Sequence, residues 1–327
     1  MGVSAWSAIR DWFSGVGRGS ASSCSGDPIA AERDAAERYR QRQDASSAVK
    51  PSEPATQDSP SRTQSSVRNR ALLAVLMVLS LSSLGFAQFR GFFARDREPQ
   101  ARNQPYDGRF TFARLKYTTA PEGYWYQGIP SWAHGYPMSE DNLMRIMNEI
   151  SFLGGRTDAY DLFSVDDEEL SKYPIAYITE PGWWRLNDAE AQALRAYIAK
   201  GGFLIVDDFK IEGDFAPGGG WEPFEENMKR VLPGARVVEL TPSHPIFHAF
   251  FEIDSLSDFP QAYNAGRPVF LGIYEDNDPK KRLMVVINYN TDISQYWEWS
   301  GRGLRPFDET NEAYKLGVNY IIYGLTH

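Results

Sequence analysis

The chain has 327 residues, with 34 Lys plus Arg against 43 Asp plus Glu, one cysteine and four histidines. Charged residues at 24% and hydrophobic residues at 42% are ordinary globular proportions, which excludes disorder throughout, and a net charge of −9 offers no basic surface for nucleic acid. A lone cysteine excludes an intramolecular disulfide and a cysteine-built zinc site.

Residues 1–66 are rich in Ser, Ala, Arg, Gln and Pro and poor in large apolar residues after Phe13, a composition that cannot offset chain entropy. They are expected to be a disordered tail or a gene-model artefact. Within them Gly15-Val16-Gly17-Arg18-Gly19 follows no strand and lacks the dinucleotide spacing, so it reads as flexible tail. Residues 67–87 then combine the basic flank Val67-Arg68-Asn69-Arg70, the apolar stretch Ala71 to Leu79 and the small-residue end Gly85-Phe86-Ala87. That is the pattern of a secretory signal peptide cut between Ala87 and Gln88. Its internal position leaves two explanations: the true start lies near Val67, or the segment is a signal anchor behind a cytoplasmic tail. Seventeen residues are at the lower limit for a membrane span, which suits the first explanation better. Either way the rest of the chain is expected to be exported, periplasmic or membrane-anchored, touching the membrane only through 71–87.

Removing residues 1–87 leaves 24 basic against 35 acidic residues, a net charge of −11, and takes away Cys24. The exported part therefore has neither a thiol nucleophile nor a thiolate ligand. Residues 88–108 read as a linker, and 109–327 as one domain.

That domain alternates strand and helix signals. Phe110 to Tyr117 alternates apolar and polar positions as a first strand. Ser139 is expected to cap a helix carrying Leu143, Ile146, Met147 and Ile150 on one face and stopping at Gly154-Gly155. Ile175 to Thr179 suits a buried parallel strand, and Asn187 with Glu190 forms a capping box for a helix bearing Ala191, Leu194 and Ile198. Gly201-Gly202 ends that helix, and Phe203 to Val206 follows as a strand running into Asp207-Asp208. A helix between two buried strands predicts a parallel, right-handed βαβ unit. After Gly218-Gly219-Gly220 come a helix from Pro223 to Leu232 and a strand from Arg236 to Leu240. Val269 to Tyr274 and Leu283 to Tyr289 then form an antiparallel pair, and a helix from about Asn311 to Leu325 closes the chain. The expected fold is a doubly wound, mostly parallel α/β sheet with an antiparallel C-terminal hairpin.

Arg109-Phe110-Thr111-Phe112-Ala113-Arg114-Leu115, Tyr136-Pro137, Tyr173-Pro174, Gly201-Gly202-Phe203-Leu204 with Asp207-Asp208, His244-Pro245-Ile246-Phe247-His248 and Ala313 to Asn319 occur in order. Together they resemble a bacterial family, domain of unknown function (DUF) 4159, over roughly residues 109–327. The resemblance implies a flavodoxin-like wiring similar to the class I glutamine amidotransferase-like superfamily. It implies no activity, and amidotransferase catalysis does not carry over because its cysteine has no counterpart here.

In an open α/β sheet, ligands bind beyond the carboxyl ends of the strands. Glu180, Trp183 and Trp184 follow one strand, and Asp207 and Asp208 another, so these are candidate ligand-binding residues. The two aspartates are also metal candidates, since a divalent cation relieves the repulsion of adjacent carboxylates; the alternative is a capped turn and a solvated side chain. His244 and His248 are metal candidates by spacing, although Pro245 argues for a turn in which they only fix backbone. Trp297 and Glu298, in Tyr296-Trp297-Glu298-Trp299, are expected in a loop where aromatic rings stack on sugars or anchor a partner, or fold back over the core. Catalytic residues stay unassigned, and no cofactor is predicted beyond a divalent metal. The expected function is a non-catalytic envelope domain binding a protein, peptide or glycan; the alternative is a metal-assisted hydrolase built on Asp207 and Asp208.

Overall fold

The computed structural model describes residues 99, 103–125, 128–157, 161–209, 220–256, 259 and 267–327. The readings of the tail, of the segment 67–87, of most of the linker and of Gly218-Gly219 lie outside these residues. No helix among the described residues is long and apolar enough to cross a membrane.

Strand β1 (Ala113–Lys116) is shorter than the alternating stretch that predicts it, and is followed by the two-residue β2 (Thr118–Thr119). Helix α1 (Met138–Ile150) opens one residue before the expected cap; Ser139 Oγ instead donates to the Gly135 carbonyl at 3.0 Å. A strand that sequence patterning missed, β3 (Asp161–Ser164), follows α1. It lies at the sheet margin, where the Asn103 side chain donates to the Leu162 carbonyl and accepts from its N–H, both at 2.8 Å, so the edge is closed to further pairing. Strand β4 (Ile175–Thr179) is the buried run expected, and the short β5 (Trp184–Arg185) comes next. Helix α2 (Asp188–Ala199) carries the full Asn187–Glu190 capping box and leads into β6 (Phe203–Asp207). Then come α3 (Trp221–Val231), β7 (Val237–Glu239), β8 (Val269–Tyr274) and β9 (Leu283–Tyr289). Two helices finish the chain: α4 (Ile293–Glu298), where a loop was expected, and α5 (Phe307–Thr326), longer than its periodic stretch.

The main sheet has seven strands in the order β3-β1-β4-β6-β9-β8-β7. Pairing is parallel from β3 to β9, and antiparallel for β9 with β8 and β8 with β7. The β8–β9 pair is the antiparallel hairpin expected, but β9 also lies in parallel against β6, which makes it a central strand. On one face α1, α4 and α5 pack together over Ile175, Tyr177, Phe203, Ile205 and Val286. Strand residues alternate faces, so Ala176, Ile178, Leu204 and Val206 turn to the opposite side, where α2 and α3 pack on each other. A second, two-stranded sheet of β2 and β5 ties the segment after β1 to the segment after β4.

Candidate metal centre

Three adjacent strands end in the same unusual way. The residue directly after β4 is Glu180 (φ 48°), after β6 it is Asp208 (φ 64°), and after β9 it is Asn290 (φ 59°). Each is a non-glycine residue in the left-handed region, which Asp and Asn enter readily and glutamate seldom does, so the constraint is greatest at Glu180. The reversals hold Glu180 and Asp208 at the carboxyl edge of the sheet, and Asp292 arrives two residues after Asn290. All three carboxylates are buried, at 3%, 2% and 0% exposure.

They converge on one imidazole. His134 follows the single helical turn Ser131–Ala133 in the connection from β1 to α1. Its Nδ1 lies 2.9 Å from Asp208 Oδ2, 3.1 Å from Glu180 Oε1 and 3.7 Å from Asp292 Oδ2. Two ligand atoms held about 2.1 Å from one ion stand about 3.0 to 3.4 Å apart; the three separations here straddle that range, and the two shorter ones are also the hydrogen bonds the imidazole makes without an ion. His134, Asp208 and Asp292 each offer one ligand atom, all within 4.8 Å of one another. Asp292 divides its oxygens: Oδ1 caps α4, accepting from Gln295 N (2.9 Å) and Ser294 Oγ (2.8 Å). Its Oδ2 is buried on the His134 side and accepts no hydrogen bond. A buried carboxylate oxygen without a donor costs free energy that a cation recovers.

The electrostatics agree. Burial works against charge on His134, yet its hydrogen bonds to Asp208 and Glu180 and the charges of Asp208 and Asp292 hold its pKa well above the ordinary value. Burial, reinforced by Asp208, pushes the Asp292 carboxyl up. The pocket therefore attracts a positive charge, supplied by a proton on His134 or by a metal that displaces it.

Asp207 plays a different part from the one expected. Its carboxylate points into the protein and accepts from Tyr177 Oη (2.7 Å), Asn288 Nδ2 (3.0 Å), Ile293 N (3.1 Å) and Ser294 N (3.2 Å). Tyr320 Oη in turn donates to Asn288 Oδ1 at 2.7 Å. Asp207 thus anchors the first turn of α4 and, through it, Asp292. Of the Asp207-Asp208 pair, only Asp208 reaches the imidazole.

The remaining sequence candidates separate. His244 and His248 do not join the aspartates. His244 accepts from Ile246 N at 3.1 Å and packs against Tyr274 and Tyr323, at the amino end of the sheet. His248 lies on the surface with Glu252 and Asp254, a second acidic grouping that is largely exposed. Trp184 and Trp297, expected in ligand-binding loops, are both 2% exposed. Trp184 lies in β5 beside Tyr117, and Trp297 in α4, its Nε1 donating to the Ala313 carbonyl at 3.0 Å. Trp183 is half-buried against the Gly123 backbone, and Glu298 is half-buried at the end of α4 beside Gly135. The aromatic at the mouth of the site is Trp125, 41% exposed; its ring centre lies 5.0 Å from that of His134, and its Nε1 donates to Glu180 Oε1 at 2.8 Å.

Sequence reasoning missed His134 and Asp292. The strand-end rule that selected Glu180 and Asp208 would have selected Asp292 had β9 been placed beside β6. His134 carries no local signal beyond its position between the first strand and the first helix.

The family model for the domain of unknown function DUF4159 matches residues 111–325, and the chain belongs to that family. No curated protein matches it.

Proposed function

We propose that this DUF4159 chain is a metal-assisted hydrolase whose divalent cation is held by His134, Asp208 and Asp292, with Glu180 beside it. The observation that carries the reading is the convergence of three buried carboxylates on one imidazole nitrogen, with Asp292 Oδ2 left without a donor. Three protein ligands leave a coordination position for water, and a divalent cation lowers the pKa of such a water toward neutrality. Imidazole with carboxylates suits Zn²⁺ or Mn²⁺. The segment at 71–87 supports an exported enzyme of the cell envelope. The order of the first four main-sheet strands, β3-β1-β4-β6, supports a flavodoxin-like wiring, with the site where ligands of such sheets bind. The absence of cysteine after residue 24 separates it from thiol-dependent amidotransferases of similar wiring.

Elemental analysis of the full chain purified without chelator tests the reading, followed by Zn²⁺ and Mn²⁺ titration calorimetry. One equivalent bound by the wild type and lost in Asp208→Asn supports the cation site on which the reading stands; absence of binding at millimolar metal overturns the reading. A second reading, a non-catalytic domain that binds an envelope glycan, peptide or protein, draws on the exposed neighbours Tyr124 and Trp125. It predicts that Trp125→Ala abolishes ligand capture while metal chelation leaves capture unchanged.

A further inference from the structure

Resting on the cation-site reading, the question is what aims His134, which rides on a connection rather than on a strand. Arg114, in the middle of β1, is 1% exposed. Its Nη1 donates to the carbonyls of Trp132 (3.0 Å) and His134 (2.7 Å), and its Nε donates to Glu140 Oε1 at 2.5 Å. The guanidinium lies over the Tyr177 ring, 5.1 Å from its centre, with the Tyr136 ring 5.9 Å away. Glu140, in the first turn of α1, is also 1% exposed. One buried cation therefore ties together the strand that precedes the His134 connection, the connection itself and the helix that follows.

A buried ion pair is a poor means of stabilising a fold, because desolvation of both charges offsets their attraction, and apolar pairs of similar volume do as well. What a rigid guanidinium fork supplies is direction: it reaches two carbonyls and a carboxylate at once, which a lysine ammonium on a flexible stem does not. We propose that Arg114 is the positioning residue of the cation site, fixing the His134 backbone so that the imidazole Nδ1 meets Asp208 and Asp292, with Glu140 holding the fork in place. Asp207 does the corresponding work for Asp292 on the other side of the pocket.

The test uses the full chain as wild type, Arg114→Lys, the apolar double variant Arg114→Met with Glu140→Met, and Val231→Ala. Val231 is buried in α3 and has no part in the site. Zn²⁺ affinity is measured by competition with a chromophoric chelator, and melting temperature is recorded on the metal-free proteins. Arg114→Lys and the double variant should bind Zn²⁺ about 10- to 100-fold more weakly, the range typical of changes just outside a ligand shell. Val231→Ala should melt lower and bind as the wild type does. Wild-type affinity in the double variant, or affinity that simply follows melting temperature across the set, overturns the proposal. A second readout needs no metal: modification of His134 by diethylpyrocarbonate, quantified by mass spectrometry against the partly exposed His248 as internal reference. Faster modification of His134 in Arg114→Lys is expected, and equal rates count against Arg114. If the wild type binds no Zn²⁺, the cation reading fails while this readout still decides the role of Arg114.

Discussion

At the amino ends of β4 and β6, Ile175 and Phe203 pack against Gly324 of α5, where an added Cβ would come within 2.7 Å of Phe203 and 3.0 Å of Ile175. Arg282 donates to the Gly202 carbonyl at 3.2 Å and the Ile198 carbonyl at 2.7 Å, serving groups that the end of α2 exposes. At the carboxyl ends of the same strands the chain turns through left-handed residues, and three buried carboxylates meet one imidazole. The histidines register the contrast: burial, together with the charge of His327, lowers His244 to about 4, whereas carboxylates hold His134 well above its ordinary value. The amino edge is mainly apolar, with the Tyr197 hydroxyl buried there without a partner and the left-handed pair Asp276 and Asn277 leading into β9. The other gathers three buried acidic side chains around one imidazole, the arrangement on which the proposed cation site rests.

Substitutions that act on one edge and spare the other test that division. Phe203→Ala, at the amino edge, should cost about 3–5 kcal/mol of unfolding free energy by opening a cavity under α5. Urea melts measure the cost, and Zn²⁺ affinity should stay at the wild-type value; a parallel loss of affinity would mean that the edges are not separable. Asp292→Asn should behave in the opposite sense. It keeps the oxygen that caps α4 and removes one of three clustered charges, so the metal-free protein should melt at or above the wild-type temperature while Zn²⁺ binding weakens by at least about 100-fold. A clear drop in melting temperature would show that Asp292 serves the fold. Between these lies Asp207→Asn, which replaces one of two accepting oxygens with an NH2 that must face either Asn288 Nδ2 or the N–H groups of Ile293 and Ser294. It should cost about 1–3 kcal/mol and weaken Zn²⁺ binding through Asp292, so both readouts should move together.

The effect that is smallest at neutral pH concerns titration at the amino edge. His244 has a folded pKa near 4, below the unfolded value of about 6.5, so it stabilises the protein above pH 6.5 and that contribution is lost as pH falls toward 4. His244→Asn keeps an acceptor for Ile246 N and removes the titration, so its melting temperature should vary less over that interval. Identical slopes for the two proteins would show that His244 does not sense pH in this way.

The parts of this arrangement visible in sequence were those with local physical causes. Asn187 and Glu190 announce a helix because both halves of the capping box lie within one turn. Ile175 to Thr179 and Phe203 to Asp207 announce buried strands through unbroken apolar runs bounded by turn residues. Strand β3, four residues with polar ends, held no such signal, and its existence depends on pairing with β1. Tyr296 and Trp297 were expected in a loop because polar neighbours surround them; α1 and α5 supply the packing that makes them core.

The sequence by itself determined the alternating α/β plan, the absence of any thiol after residue 24, and the delivery of Glu180 and Asp208 to strand ends. It could not determine which strand ends lie side by side. That depends on β9 docking in parallel against β6 across more than seventy residues of chain, a choice made by burial of whole strand faces rather than by any local preference. Only that docking brings Asp292 to Asp208, and only the turn held by Arg114 brings His134 to both. The acidic strand ends were legible residue by residue, whereas the site, a set of distances between segments remote in sequence, came into being with the tertiary fold.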